Sequence, residues 1–285
     1  MPLRLRLIEP ADVPEAGRIC HEAFRAIAQQ HNFPPDFPNA EIATGLYAQL
    51  VSTPGFYGIV AERDGRIVGS NFIDERAPIV GLGPITVDPA AQNAGVGTAL
   101  MAHMIDRATQ KQVAGLRLVQ AGYHTRSLCL YTKLGFVVRE PLANLQGPAL
   151  GLALPGYDVR KAGTEDLDVC NSVCRAVHGH DRSGDLEAAI GQGIASVVER
   201  NGRITGYATQ IAFFGHAVGE TNEDLKALIG AAPSFAGPGF LLPSRNTELF
   251  RWCLAQGLRM VQPLTLMTIG LYNEPVGAYL PSILF

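Results

Sequence analysis

Gln92-Asn93-Ala94-Gly95-Val96-Gly97 lies between a strand-like run, Gly83-Pro84-Ile85-Thr86-Val87-Asp88-Pro89, and an amphipathic helical run that starts near Val96. A glycine-rich turn into a helix N-terminus leaves backbone N–H groups unpaired and aims the positive end of the helix dipole at whatever binds there. The stretch therefore reads as an anion site that fits a pyrophosphate. Two other phosphate loops are excluded. A nucleotide-hydrolysing loop needs Gly-x4-Gly-Lys-Ser/Thr, and here Gly97 is followed by Thr98 with no lysine. A dinucleotide fold needs Gly-x-Gly-x-x-Gly after a strand. The nearest spacing, Gly191-Gln192-Gly193 with Ser196, lacks the third glycine and follows a helical run.

Further along, the strand-like Gly115-Leu116-Arg117-Leu118-Val119 precedes Ser127-Leu128-Cys129-Leu130-Tyr131-Thr132-Lys133-Leu134-Gly135-Phe136. Leu128, Tyr131 and Leu134 repeat at helical spacing, Gly135 suits a helix C-terminus with positive φ, and Phe136 begins the next strand. Val87, Pro89, Gln92, Gly95 and Gly97 make a strand, Val-x-Pro-x-x-Gln-x-x-Gly-x-Gly, helix pattern that resembles motif A of the GCN5-related N-acetyltransferases (GNAT), and the second stretch resembles their motif B. The resemblance implies that acetyl-CoA is seated along Ile85, Thr86 and Val87, with its pyrophosphate on Gln92, Asn93, Ala94, Gly95, Val96, Gly97 and Thr98. It also implies that Tyr131 lies beside the CoA sulfur. On spacing alone Tyr131 is equally a packed aromatic whose hydroxyl finds any partner.

The chemistry suits a tyrosine, because a thioester attacked by an amine must expel a thiolate, and a phenol with a pKa of about 10 stays protonated at neutral pH and can supply the proton. A backbone N–H near Ile85 to Val87, where the family's fourth strand bulges, is expected to meet the oxyanion. For the general base the preferred residues are Asp74 and Glu75, which end the strand-like Ile67–Ile73 run; the alternative is a strand-end carboxylate paired with Arg76. His124 opens the motif B helix as an N-cap or a substrate contact. The loop His31-Asn32-Phe33-Pro34-Pro35-Asp36-Phe37-Pro38 borders the acceptor in such a fold, so Phe33 and Phe37 are expected to touch substrate; otherwise it is a Pro-rich connection.

At 285 residues the chain is too long for one fold of roughly 150 residues, and it repeats internally. Ile59-Val60-Ala61-Glu62-Arg63-Asp64-Gly65-Arg66-Ile67-Val68-Gly69 recurs as Ser196-Val197-Val198-Glu199-Arg200-Asn201-Gly202-Arg203-Ile204-Thr205-Gly206, both read as hairpins. A weaker echo joins Leu5–Val13 to Val159–Leu167, each a strand followed by a capped helix. Two domains are expected: 1–154, catalytic, and 155–285, a degenerate copy that completes the first domain's sheet or pocket, or builds a homodimer. The second half has no Gln-x-x-Gly-x-Gly. Its Arg251–Leu258 looks like a worn motif B, with Cys253 opposite Tyr131 as core packing. Leu264–Leu271 and Gly277–Phe285 read as strands running to the end of the sequence.

His178-Gly179-His180-Asp181-Arg182 has metal-like spacing but no distant fourth ligand, and reads as a polar inter-helix loop with Asp181 or Ser183 as cap; no metal is expected. Five scattered cysteines, no signal-peptide core and no apolar run near the ~20 residues that span a bilayer point to reduced thiols, a cytoplasmic protein and no membrane partner. A net charge of −3 with no basic block argues against nucleic acid. The expected fold class is α/β (α+β): tandem GNAT folds, of a kind known in bacteria, with mixed, mainly antiparallel twisted sheets flanked by helices. The expected reaction is acetyl transfer to a primary amine of a small molecule. The alternatives are a non-catalytic acyl-CoA sensor and a protein lysine or N-terminal acetyltransferase.

Overall fold

The computed structural model describes residues 2–284; Met1 and Phe285, the outermost residues of the two expected domains, lie outside the described residues. The first half runs β1 (Arg4–Leu7), α1 (Val13–Gln30), α2 (Ala40–Ser52), β2 (Phe56–Arg63), β3 (Arg66–Asp74), β4 (Ile79–Leu82), β5 (Thr86–Val87), α3 (Val96–Gln110), β6 (Gly115–Ala121), α4 (Thr125–Lys133) and β7 (Val137–Gln146). The second runs β8 (Asp158–Lys161), α5 (Leu167–His178), α6 (Ser183–Gly191), β9 (Ser196–Arg200), β10 (Arg203–Ala208), β11 (Ala217–Gly219), α7 (Asn222–Ala231), β12 (Phe240–Pro243), α8 (Thr247–Ala255), β13 (Arg259–Gly270) and β14 (Ala278–Leu280). This is the expected mixed α/β fold: apart from the parallel pair β4 and β6, the strand ladders are antiparallel.

The internal repeat is physical as well as textual. Both hairpins form, with Asp64 and Gly65 at φ +53° and +72°, and Asn201 and Gly202 at +53° and +71°. Two successive left-handed residues give the turn whose twist matches that of the flanking strands. The starts of the halves share an ion-pair lock. Arg6 donates to Asp12 at 2.6 and 2.8 Å and to Glu62, while Arg160 donates to Asp166 at 2.6 and 2.8 Å and to Glu199. Each aspartate also accepts the backbone N–H three residues before it, which ties strand, turn and helix together.

The sheets do not divide where the sequence repeat does. Along the larger sheet the order is β1-β2-β3-β4-β6-β13-β7-β12, and the smaller is β14-β11-β10-β9-β8. Thus β13, from the second half, lies between β6 and β7 of the first, while β7 lies between β13 and β12 of the second. Both exchanged strands follow matching helices, α4 and α8, which begin 122 residues apart at Thr125 and Thr247. Each half therefore lends the other the strand after its last helix. The final segment differs from expectation: strand pairing stops at Leu280, and Ile283 instead donates its N–H to the Phe213 carbonyl at 2.9 Å.

Leu100, Met101 and Met104 of α3 are fully buried and pack with Ile59, Ala61 and Ile73 of the β2–β3 hairpin, at about 1.5–3 kcal/mol for each large side chain taken from water. That packing fixes where the N-terminus of α3 points. No helix of the described residues is long and apolar enough to cross a membrane.

Candidate functional site

The site begins where a strand comes apart. On β3, Ile73 pairs with Leu82 and Ser70 with Thr86; two residues separate these partners on β3, but three, Gly83 to Ile85, separate them on the other strand. The extra residue is a bulge, and Pro84 within it has no N–H to give to a ladder. Pairing between β4 and β6 ends at Gly81 and Arg117, so beyond that point the two parallel strands splay into a wedge. A buried triangle of hydroxyls holds the bulge in place: Tyr47 Oη lies 2.8 Å from Ser70 Oγ and 3.1 Å from Thr86 Oγ1, and the latter two are 3.0 Å apart. A cavity of about 560 Å³ fills the wedge, and Ile85 to Val87 face it.

At one side of the cavity stands the N-terminus of α3. Gly95 caps the helix at φ +78°, a left-handed conformation that costs other residues about 1–2 kcal/mol, and no side chain caps the helix. The first helical bond runs from Ala99 N to Gly95 O at 3.0 Å, leaving the amides of Val96, Gly97 and Thr98 ahead of it. A Cβ on Gly97 would meet only Leu130 and Val87, at 3.6 and 3.7 Å, which is ordinary contact. The protein itself therefore does not require glycine there, whereas a phosphate lying against the helix would. Gln92, Asn93 and Gly95 to Thr98 line the cavity; Ala94 does not, and its carbonyl accepts from Arg63 at 3.3 Å. Arg126, which the sequence reading passed over, donates to Gln92 Oε1 at 2.6 Å and Asn93 Oδ1 at 3.3 Å and adds a positive charge beside the loop. The residues present thus fit the pyrophosphate of a CoA thioester.

Tyr131 lies on α4 across from this turn, lines the cavity, and is only 7% exposed. Burial pushes its phenol well above the usual tyrosine value, so it remains protonated through the neutral range. Its ring packs edge-on against Phe136 at 6.1 Å, the residue that starts the exit from α4. His124 also lines the cavity; its side chain caps nothing, and burial lowers its pKa to about 4, so it is neutral at physiological pH.

Neither expected carboxylate base reaches the cavity. Asp74 is engaged by Arg76 at 2.5 Å, and Arg76 continues to Asp185 of the second half at 2.6 Å, forming a bridge between halves. Glu75 is clamped by Arg107 at 2.6 Å and Lys111 at 2.8 Å, which, although burial pulls the other way, hold its carboxyl below the usual range. A carboxylate so stabilised is a poor proton acceptor. The carboxylate that does line the cavity is Asp36, in the Pro-rich loop between α1 and α2. Burial raises its pKa to about 6, against a 2.8 Å hydrogen bond from Gln262 Nε2 of β13. Phe37 lines the cavity beside it, whereas Phe33 does not; it stacks on Tyr123 at 4.3 Å, and Tyr123 faces the cavity in its place.

The second half adds Phe213, Phe214, Leu264, Ile283 and Leu284 to the cavity wall. The His178–Arg182 stretch sits elsewhere: His178 Nε2 is 3.2 Å from His216 Nε2 in a buried cluster, and Asp181 turns away to Arg175 at 2.9 Å. Cys253, opposite Tyr131 in the repeat, is fully buried in the apolar core.

A family model described as "Acetyltransferase (GNAT) family" matches residues 21–136, from α1 through the end of motif B. Among curated proteins none matches the chain. Of solved structures, a Pyrococcus horikoshii protein provisionally named an acetyltransferase superposes with a TM-score of 0.74 at 17% identity, covering 97% of this chain and 94% of its own. A GCN5-related N-acetyltransferase from Sphaerobacter thermophilus gives 0.65 at 14% identity, covering 95% and 98%. Both likenesses are of fold, and both extend over the two halves together. Residues 21–136, which carry the open helix N-terminus and the buried tyrosine on one cavity, match the GNAT family of acetyltransferases.

Proposed function

We propose that this protein transfers the acetyl group of acetyl-CoA directly to a primary amine of a small molecule, at a single site in its first half. One observation carries the reading: the same cavity touches the uncapped N-terminus of α3, the Tyr131 phenol and the Asp36 carboxylate. The amides of Val96 to Thr98, with Arg126 alongside, would hold the pyrophosphate. Ile85 to Val87 would flank the thioester arm. When bound, acetyl-CoA supplies an activated acyl carbon. Tyr131 holds a proton for the departing sulfur, and no covalent enzyme intermediate is needed, so much of the acceleration comes from positioning.

The apolar side chains that the second half adds to the cavity wall favour a small acceptor over the lysine or N-terminus of a folded protein, which needs an open cleft. The second half serves here as wall and sheet partner, the protein as a soluble cytoplasmic enzyme, and self-association is open to test by sedimentation. The deciding experiment is a melting curve with acetyl-CoA, free CoA and NAD, followed by an amine screen. A ligand at about 100 times its dissociation constant adds about 2.7 kcal/mol, a shift of several degrees. A shift with CoA and not NAD, with turnover of at least one amine, supports the reading. Binding without turnover on any amine would instead favour an acyl-CoA sensor.

A further inference from the structure

Building on the acyl-transfer reading, we propose that Asp36 seats and deprotonates the ammonium of a monoamine whose remaining body is apolar, an arylalkylamine or alkylamine, in the chamber between α1 and the Phe213–Phe214 turn. The chamber's chemistry is lopsided. Asp36 is the one carboxylate among the described residues that line the cavity, and no cationic side chain pairs with it among the described residues. Gln262 Nε2 fixes one of its oxygens, while the amide oxygen of Gln262 is held in turn by the Tyr123 hydroxyl at 3.2 Å. The carboxylate is thus oriented by two halves of the molecule and left without a counter-charge, which an ammonium would supply.

Around it the walls are apolar. Phe24 and Ile27 come from one face of α1, Phe37 from the loop, and Phe213, Phe214 and Leu284 from the second half. A polyamine or aminoglycoside carries several cations, and this chamber offers one anion and few acceptors, so the rest would be stranded against hydrocarbon. The titratable groups that feel the charge of Asp36 are Cys20 of α1 and Tyr123 after β6, and the His31 ring lies 5.4 Å from that of Tyr123; burial keeps the Cys20 thiol and the Tyr123 phenol protonated.

The proton balance closes. The ammonium gives one proton to the Asp36 carboxylate, the freed amine forms the C–N bond as the thioester C–S bond breaks, and the sulfur takes the Tyr131 proton. The attacking nitrogen sheds its second proton as the amide forms, and that proton, passed on through solvent, restores Tyr131; Asp36 releases the first to solvent, so each turnover frees one proton.

The test measures acetylation and, separately, melting in the presence of CoA, with 2-phenylethylamine, spermidine and the uncharged 2-phenylethanol. The expected result is at least a tenfold preference in kcat/KM for phenylethylamine over spermidine, and a melting shift with phenylethylamine but not phenylethanol. Asp36→Asn should keep the acetyl-CoA shift, raise KM for the amine by about 10-fold or more, and erase the loss of activity below pH about 6. Asp36→Glu should restore part of that acid limb. Should Asp36→Asn fail to fold, Phe214→Ser at the partly exposed wall should weaken phenylethylamine and leave methylamine unchanged. Unaltered KM and pH profile in Asp36→Asn, or a preference for spermidine, would overturn the inference while leaving acyl transfer intact. Asp36-dependent binding of the amine without any acetylation would keep the pocket assignment and overturn acyl transfer.

Discussion

Helices α3 and α7 occupy matching places in the two halves, and their N-termini are finished in opposite ways. At α3 the cap is Gly95, without a side chain, and the leading amides face a cavity. At α7 the cap is Thr221, whose N–H and hydroxyl each donate to Asp224 Oδ2 at 2.8 Å, while the hydroxyl of Thr205 donates to Oδ1. Asp224 is fully buried, so the helix carries its own anion where a bound one would sit. A phosphate approaching α7 would meet a carboxylate already satisfied by three donors. An anion site can therefore be lost by filling as well as by losing its glycines.

This contrast can be broken at four points. The largest effect belongs to Tyr131→Phe, which should lower kcat by about 10²- to 10⁴-fold while the melting shift with CoA persists, read by single-turnover kinetics and calorimetry. Next is Gly97→Leu, whose side chain would occupy the space in front of α3. It should weaken CoA at least about 100-fold, roughly 2.7 kcal/mol, with little change in the ligand-free melting temperature. Retained affinity would mean that the pyrophosphate lies elsewhere.

At α7 the matching intrusion acts on stability rather than binding. Asp224→Ala strips three donors of their acceptor in a buried setting and should cost about 2–3 kcal/mol, a drop of several degrees, without raising CoA stoichiometry above one per chain. A second bound CoA would show that the carboxylate alone closes that helix. The smallest effect is expected from Arg126→Ala. Its guanidinium is exposed, so CoA affinity should fall only a few-fold, and less at 0.5 M salt than at low salt.

What the sequence revealed follows how local each signal is. The glycine turn, the Tyr131 helix and both hairpins are each settled within about a dozen residues, where backbone preference and apolar period leave one good solution. Asp36 was in view inside the quoted loop, yet nothing in His31–Pro38 tells whether its carboxylate faces water or a cavity; that depends on Gln262, which lies 226 residues away. Asp74 and Glu75 erred in the same way. Their position at a strand end was legible, but Arg107, Lys111 and Asp185, the groups that decide what they do, are remote. The strand exchange was invisible for a related reason. β7 and β13 have the alternation of any half-buried strand, and alternation does not name its neighbour. Only the suspicion that the second half completes the first sheet pointed that way.

The interleaving of β6, β13, β7 and β12 also bears on descent. A duplicated copy without a working site is ordinarily free to erode or be deleted. Here deletion at residue 155 would remove both neighbours of β7 and leave β6 with an open edge, so the half that carries the glycine turn cannot be inherited without the other. A single cooperative melting transition for the whole chain is the physical mark of that bond, and mutations in β13, far in sequence from the glycine turn, should be counted among those that selection sees.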